Sequence, residues 1–143
     1  MKTSKARDFA RLGKHLLKLE HNEYSLQKAV CRYLDLQFPQ VMYLSDTVAN
    51  CKLTMPQAKR NKAIQKQGFK CPDLLILEPR KGYAGLFIEL KVKSPFKKNG
   101  ELLKNEHLEG QMKTIQELNR KGYSACFQWR FETIKKMIDD YLK

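Results

Sequence analysis

Apolar positions recur at helical spacing in four stretches of the chain and as short continuous runs in four others, and together they outline the fold. Phe9, Leu12, Leu16 and Leu19 suggest an amphipathic helix within residues 5–20. Leu26, Val30, Tyr33 and Leu34 make one stripe on a helix from Glu23 to Leu36, which Phe38-Pro39 terminates. Leu108, Met112, Ile115 and Leu118 define a third helix, starting at Leu102 or Asn105 and ending at Arg120 before Lys121-Gly122. Ile134, Ile138 and Leu142 support a closing helix from Phe131 to Tyr141. The continuous runs read as strands: Val41 to Leu44, Leu74 to Leu77, Leu86 to Leu90 and Ala125 to Trp129. Pro56 to Gln67 has few apolar positions and reads as a basic helix stopped by Gly68. There is no internal repeat. The order is helix, strand, basic helix, hairpin, helix, strand, helix, which predicts one α/β domain with a mixed sheet over residues 21–143, preceded by a basic extension or helix at 1–20.

Composition agrees with a single folded domain. The 143 residues are 42% hydrophobic, with 7 Gly and 5 Pro, which is too apolar for a disordered basic tail. No run approaches the ~20 apolar residues of a membrane span, and the N-terminus lacks the apolar stretch of a signal peptide, so a cytoplasmic protein with no membrane partner is expected. Cys31, Cys51, Cys71 and Cys126 are widely spaced and form no C-x-x-C pair; buried free thiols are expected, with neither a zinc site nor a disulfide framework.

Charge changes the picture. Lys and Arg number 28 against 15 Asp and Glu, a formal net charge of +13, which points to a polyanionic partner. The layout is uneven. No acid lies between Asp46 and Asp73, where Lys52, Lys59, Arg60, Lys62, Lys66 and Lys70 fall; a second run, Lys91, Lys93, Lys97 and Lys98, follows a strand. These runs can be solvated faces or can track phosphates.

They bracket the informative acids. If the hairpin turns at Lys81-Gly82, antiparallel partners have numbers that sum to about 162 to 163, which sets Asp73 opposite Glu89 or Leu90. Directly opposed carboxylates destabilise a sheet unless something compensates them. Strand alternation places Phe87, Glu89 and Lys91 on one face and Leu86, Ile88 and Leu90 on the other, so an ammonium accompanies the pair. Three readings compete: a structural Lys91–Glu89 salt bridge, a general acid/base pair, and a site in which two carboxylates and a backbone carbonyl hold Mg²⁺ or Mn²⁺. Glu23 and Gln27 lie in or beside the apolar stripe of their helix, and Gln111 falls within the apolar arc of its own, so each needs a partner. For Glu23 that can be the helix dipole, and for the glutamines a core hydrogen bond.

The wording Pro72-Asp73, then Glu89-Leu90-Lys91, resembles the active-site signature of the PD-(D/E)xK nuclease superfamily. With Glu23-x-x-x-Gln27, Gln67-Gly68, Gly85 to Lys91, Gln111, Leu118 and Gly122-Tyr123, residues 22–142 resemble the virus-type replication-repair nuclease (VRR-Nuc) family. One departure is Lys70-Cys71, where the family usually has a Gly. The resemblance implies a restriction-endonuclease-like αβββαβ core. It also implies a Mg²⁺- or Mn²⁺-dependent DNA endonuclease in which Asp73, Glu89 and the Leu90 carbonyl hold the metal, Glu23 assists, Lys91 activates water and Gln111 orients it. Further, it implies a homodimer acting on branched DNA such as Holliday junctions. Lys52, Lys59, Arg60, Lys62, Lys66, Lys70, Lys93 and Lys97 would then grip DNA with little sequence preference. The rival reading is a non-catalytic nucleic-acid-binding accessory protein.

The remaining residues say less. His15, His21 and His107 share no ligand spacing, and His107 reads as a surface or satisfied helix histidine although it lies one turn before Gln111. Asp46 is a possible further acid. Trp129 and the other aromatics read as core, with no basic-aromatic motif for stacking bases.

Overall fold

The computed structural model describes residues 23–45 and 52–143. The helix expected within residues 5–20, His15, His21, Asp46 and Cys51 lie outside the described residues. In chain order the elements are α1 (Glu23–Gln37), β1 (Tyr43–Ser45), α2 (Met55–Ile64), β2 (Leu74–Ile76), β3 (Leu86–Leu90), α3 (Glu106–Arg120), β4 (Ser124–Gln128) and α4 (Phe131–Leu142).

The strands form one sheet in the order β1-β2-β3-β4. β1 and β2 are antiparallel, as are β2 and β3, while β3 and β4 run parallel, joined through α3 as a parallel pair requires. The hairpin takes the first of the two expected registers, with partner numbers summing to 162: Leu74 faces Ile88, Leu75 faces Phe87 and Ile76 faces Leu86. Lys81 (φ 52°) and Gly82 (φ 83°) carry the left-handed backbone of the link, and Arg80 and Tyr83 close it with a pair of backbone hydrogen bonds.

The two faces of the sheet are covered differently. On one, Leu74, Ile76, Leu86, Ile88 and Leu90 pack with Val30 and Leu34 of α1 and with Ile134 and Ile138 of α4. On the other, Phe87 and Phe127 pack with Ile115 and Leu118 of α3, with Phe96 and Trp129 at the margin. Aliphatic side chains at helical spacing on α1, α3 and α4 therefore bury against alternate residues of the strands, each contributing about 1.5–3 kcal/mol.

α3 starts at Asn105, whose side chain accepts from Leu108 N at 3.1 Å. It carries a glycine in mid-helix, Gly110, where helix propensity alone costs about 1 kcal/mol. A Cβ there would lie 3.4 Å from Lys70 Cε and 3.6 Å from Cγ, so the missing side chain lets the Lys70 stem cross the helix closely. α2 differs from the other helices in burying none of its residues. It ends at Ile64, short of Gly68, because Gln65 already turns extended (ψ 143°); Gly68 (φ 76°) serves the following turn instead.

Candidate active site

β2 and β3 bring the two acids together. Continuing their register by one residue sets Asp73 opposite Glu89, and the two carboxyl groups are within hydrogen-bond reach of each other. Asp73 lies just beyond the last ladder pair, and its Oδ2 accepts from Leu90 N at 2.8 Å. This bond stands in for the ladder partner that β2 no longer supplies. Since the N–H and C=O of a strand residue leave by the same edge, the Leu90 carbonyl also projects toward Asp73.

Glu89 is 4% exposed and has two further partners. Lys91 Nζ donates to its Oε1 at 3.1 Å, and Gln111 Nε2 of α3 donates to the same oxygen. Gln27, on α1, is also buried; its Nε2 donates to Ser45 Oγ at 2.6 Å and to the Asp73 carbonyl at 3.3 Å. Both glutamines therefore make the hydrogen bonds expected of polar groups on apolar helix faces, and both fix the carboxylate strands. Gln111 Oε1 is buried without a hydrogen-bond partner, the single such side-chain atom among the described residues.

The electrostatics follow from this crowding. Burial first, then the adjacent Asp73 charge, push the Glu89 carboxyl up to about 8, against the pull of Lys91. Asp73 is raised as well, mainly by burial, with the Leu90 amide and Lys91 opposing. The pair thus favours sharing a proton, with the Lys91 ammonium as the cation that opposes it.

The pair opens on a cleft of about 410 Å³, also lined by Glu23, Lys66, Phe69, Lys70, Cys71, Lys91, His107 and Gln111. Glu23, exposed in the first turn of α1, adds its charge to the environment of Asp73. Among the described residues no group of three or more His, Cys, Asp or Glu side chains is placed to hold a metal ion. The oxygen donors on offer are thus two carboxylates and the Leu90 carbonyl, beside the cleft. Hard oxygen donors of this kind suit Mg²⁺ or Mn²⁺, which keep several waters.

This chain superposes on a solved structure described as a "VRR_NUC domain protein" with a TM-score of 0.57, at 23% sequence identity, covering 84% of this chain and 87% of that one. The fold is that of a VRR_NUC domain. It is a restriction-endonuclease-like α/β fold, with the mixed sheet and flanking helices anticipated from the sequence. No family model and no curated protein matches the chain.

Within this VRR_NUC-type fold the basic residues divide. Lys66 and Lys70 line the cleft itself. A second recess runs from Lys62 to Lys70 and a third is lined by Met55, Pro56, Ala58, Lys59 and Lys62, so shared residues connect α2 to the carboxylates. Lys52 and Arg60 are exposed nearby. Lys93 and Lys97 are exposed on the loop after β3 and do not line the cleft; Lys97 pairs with Glu101 at 3.0 Å.

Cys71 and Phe69 depart from the sequence reading, while His107 and Thr114 add to it; Phe69, read with the other aromatics as core, is 42% exposed and lines the cleft. Cys71, expected to be buried, is exposed and lines the cleft, because it sits on the loop before β2; Cys31 and Cys126 are partly buried against the core. His107 is exposed, as expected of a surface histidine, yet its position one turn from Gln111 places it at the cleft wall. Thr114, unremarked in the sequence, is buried in α3 and accepts from Lys70 N at 3.0 Å, tying the basic loop to the helix that carries Gln111. Its signal was a small polar residue beside Ile115 in the apolar arc of α3.

Among the described residues no helix is long and apolar enough to cross a membrane.

Proposed function

We propose that this chain is a VRR-Nuc family nuclease that hydrolyses phosphodiester bonds in DNA with a divalent cation, Mg²⁺ or Mn²⁺. The observation that carries this reading is the pair of the part-buried Asp73 and the buried Glu89 with Lys91 bonded to Glu89, opening on a cleft bordered by Lys66 and Lys70.

Asp73, Glu89 and the Leu90 carbonyl would hold the cation, with Glu23 acting through water. When bound, such a cation lowers the pKa of water and offsets charge developing on the phosphate oxygens. Lys91 is held by Glu89 on the cleft side of β3, where its ammonium can position the attacking water and favour the hydroxide form. Gln111 locks the Glu89 carboxylate through its N–H and so would orient the site in which the water sits. Gln27 holds the Asp73 main chain. Lys66 and Lys70 meet the phosphates on either side of the cut, and the α2 lysines extend that contact along the strand.

The substrate we propose is branched DNA, the four-way junction included, cut with little sequence preference by a twofold dimer that presents two such clefts. Support comes from the family resemblance of residues 22–142 and from the lysines that line the cleft and the recesses beside it.

The test is cleavage of linear duplex, flap, single-stranded and four-way-junction DNA in Mg²⁺, Mn²⁺ and EDTA. Cutting that needs either ion and favours branched forms is expected. Absence of cutting on every substrate with both ions overturns the assignment in favour of a non-catalytic DNA-binding role.

A further inference from the structure

Phe69 is a large aromatic side chain, 42% exposed, that belongs to neither core cluster and has no ring partner among the described residues. It lines both the cleft of Asp73 and Glu89 and the adjoining basic recess. Lys66 and Lys70 flank it in both.

Its position is fixed by what surrounds it. Gly68 takes the left-handed turn (φ 76°) that a side chain would strain. Phe69 N donates to the Lys66 carbonyl at 3.2 Å, and Lys70 N donates to the buried Thr114 at 3.0 Å. The Lys70 stem lies against Gly110 of α3. An apolar ring is thus presented to solvent at the mouth of the cleft from a loop tied to the helix that holds Glu89. What distinguishes it from the other exposed apolar side chains is its place in the cleft beside the acids.

A paired duplex gives such a ring little to touch. Its outer surface is phosphate and sugar, which lysines meet, and its bases are stacked out of reach. An unpaired nucleotide, by contrast, offers a π-face, and a ring between two ammonium groups is the combination that holds a base while its flanking phosphates are neutralised. We propose that Phe69 stacks on an unpaired base next to the scissile phosphate, so that the cleft selects DNA whose cut strand is locally single-stranded, as at a flap or branch point. This rests on the nuclease reading above and narrows its substrate class.

Binding and cutting are measured separately. In the Asp73→Asn background with Ca²⁺, Kd is determined for a flap, a single strand and an intact duplex of equal length, each with 2-aminopurine at the expected contact. Phe69→Ala is expected to weaken flap and single-strand binding by about tenfold, to abolish the 2-aminopurine quench and to leave the intact duplex within about twofold. Phe69→Trp retains both signals, which separates stacking from damage to the loop. Equal loss on all three DNAs, or no loss on any, overturns the proposal. If the chain with Asp73 intact cuts DNA while Phe69→Ala changes nothing, stacking alone fails; if the Phe69 signature appears and no substrate is cut, the nuclease reading fails and stacking stands.

Discussion

Lys91 owes its place to Glu89: a lysine side chain two residues along the same strand face would wander, but the bond to Oε1 leaves it 13% exposed and pointed at the acids. Removing the ammonium should therefore cost chemistry more than binding. Lys91→Ala and Asp73→Ala are each expected to lower the cleavage rate at least about a hundredfold while junction affinity changes less than about threefold, read by single-turnover kinetics beside a binding isotherm. Full activity in either variant would sink these roles. The raised Glu89 carboxyl makes a second claim. In the folded chain it keeps its proton up to about 8, whereas the unfolded chain releases it near the ordinary value of 4.5. The folded state therefore binds more protons across that window. Its stability is complete below it and falls as pH rises through it. In EDTA, thermal unfolding should show Tm dropping from pH 5 to pH 8. Glu89→Gln should flatten that slope and gain about 1–2 kcal/mol at pH 8. A Glu89→Gln protein with an unchanged pH slope would place the strain elsewhere. Phe69 and Thr114 were harder to see in the sequence. Each is one unremarkable residue whose neighbours come from another element, α3 for the loop of Phe69 and that loop for Thr114.

At the level of elements, the hairpin was the most legible. Lys81-Gly82 supplies the turn and alternation supplies the faces; together they leave two registers, Asp73 opposite Glu89 or Leu90, and the ladder takes the first. Helix ends were less so. Gly68 marks a turn, but α2 had already stopped at Gln65, since nothing in Gln65-Lys66-Gln67 is buried to reward another turn of helix. α2 depends on its N-terminus: Thr54 and Gln57 form a capping box, with Thr54 N donating to Gln57 Oε1 at 2.9 Å. Ten residues with no buried side chain are marginal as a free helix. Amides of α2 should accordingly exchange through openings that cost about 1–2 kcal/mol, far faster than those of α3 or β3. DNA should slow them, and Thr54→Ala should speed them without moving the global Tm. Protection of α2 equal to that of β3 in the free protein would contradict this.

For the molecule as a whole, the net charge of +13 matters through its placement. Lys59, Lys62, Lys66 and Lys70 line neighbouring recesses, of which the one with Lys66 and Lys70 holds the acids, while Lys97 is partly answered by Glu101. DNA affinity should fall steeply with salt, by a slope near 0.9 per phosphate neutralised, measured as log Kd against log salt. Lys66→Ala and Lys70→Ala should each reduce the slope by about one, and Lys97→Ala by less. Equal effects from all three would mean the path is not the one the recesses trace.

The unequal cover of the sheet has a practical consequence. Leu86, Ile88 and Leu90 point into the large core with α1 and α4, while Phe87 and Glu89 point to the side of α3. Along one strand, Leu86, Ile88 and Leu90 anchor the large core, Phe87 anchors the smaller one, and Glu89 is the position open to retooling. An engineer could redraw Glu89, Lys91, Gln111 and the loop from Gln65 to Lys70 while leaving Ile88, Leu90, Ile134 and Ile138 alone, and the chain would retain the frame on which to mount a different chemistry.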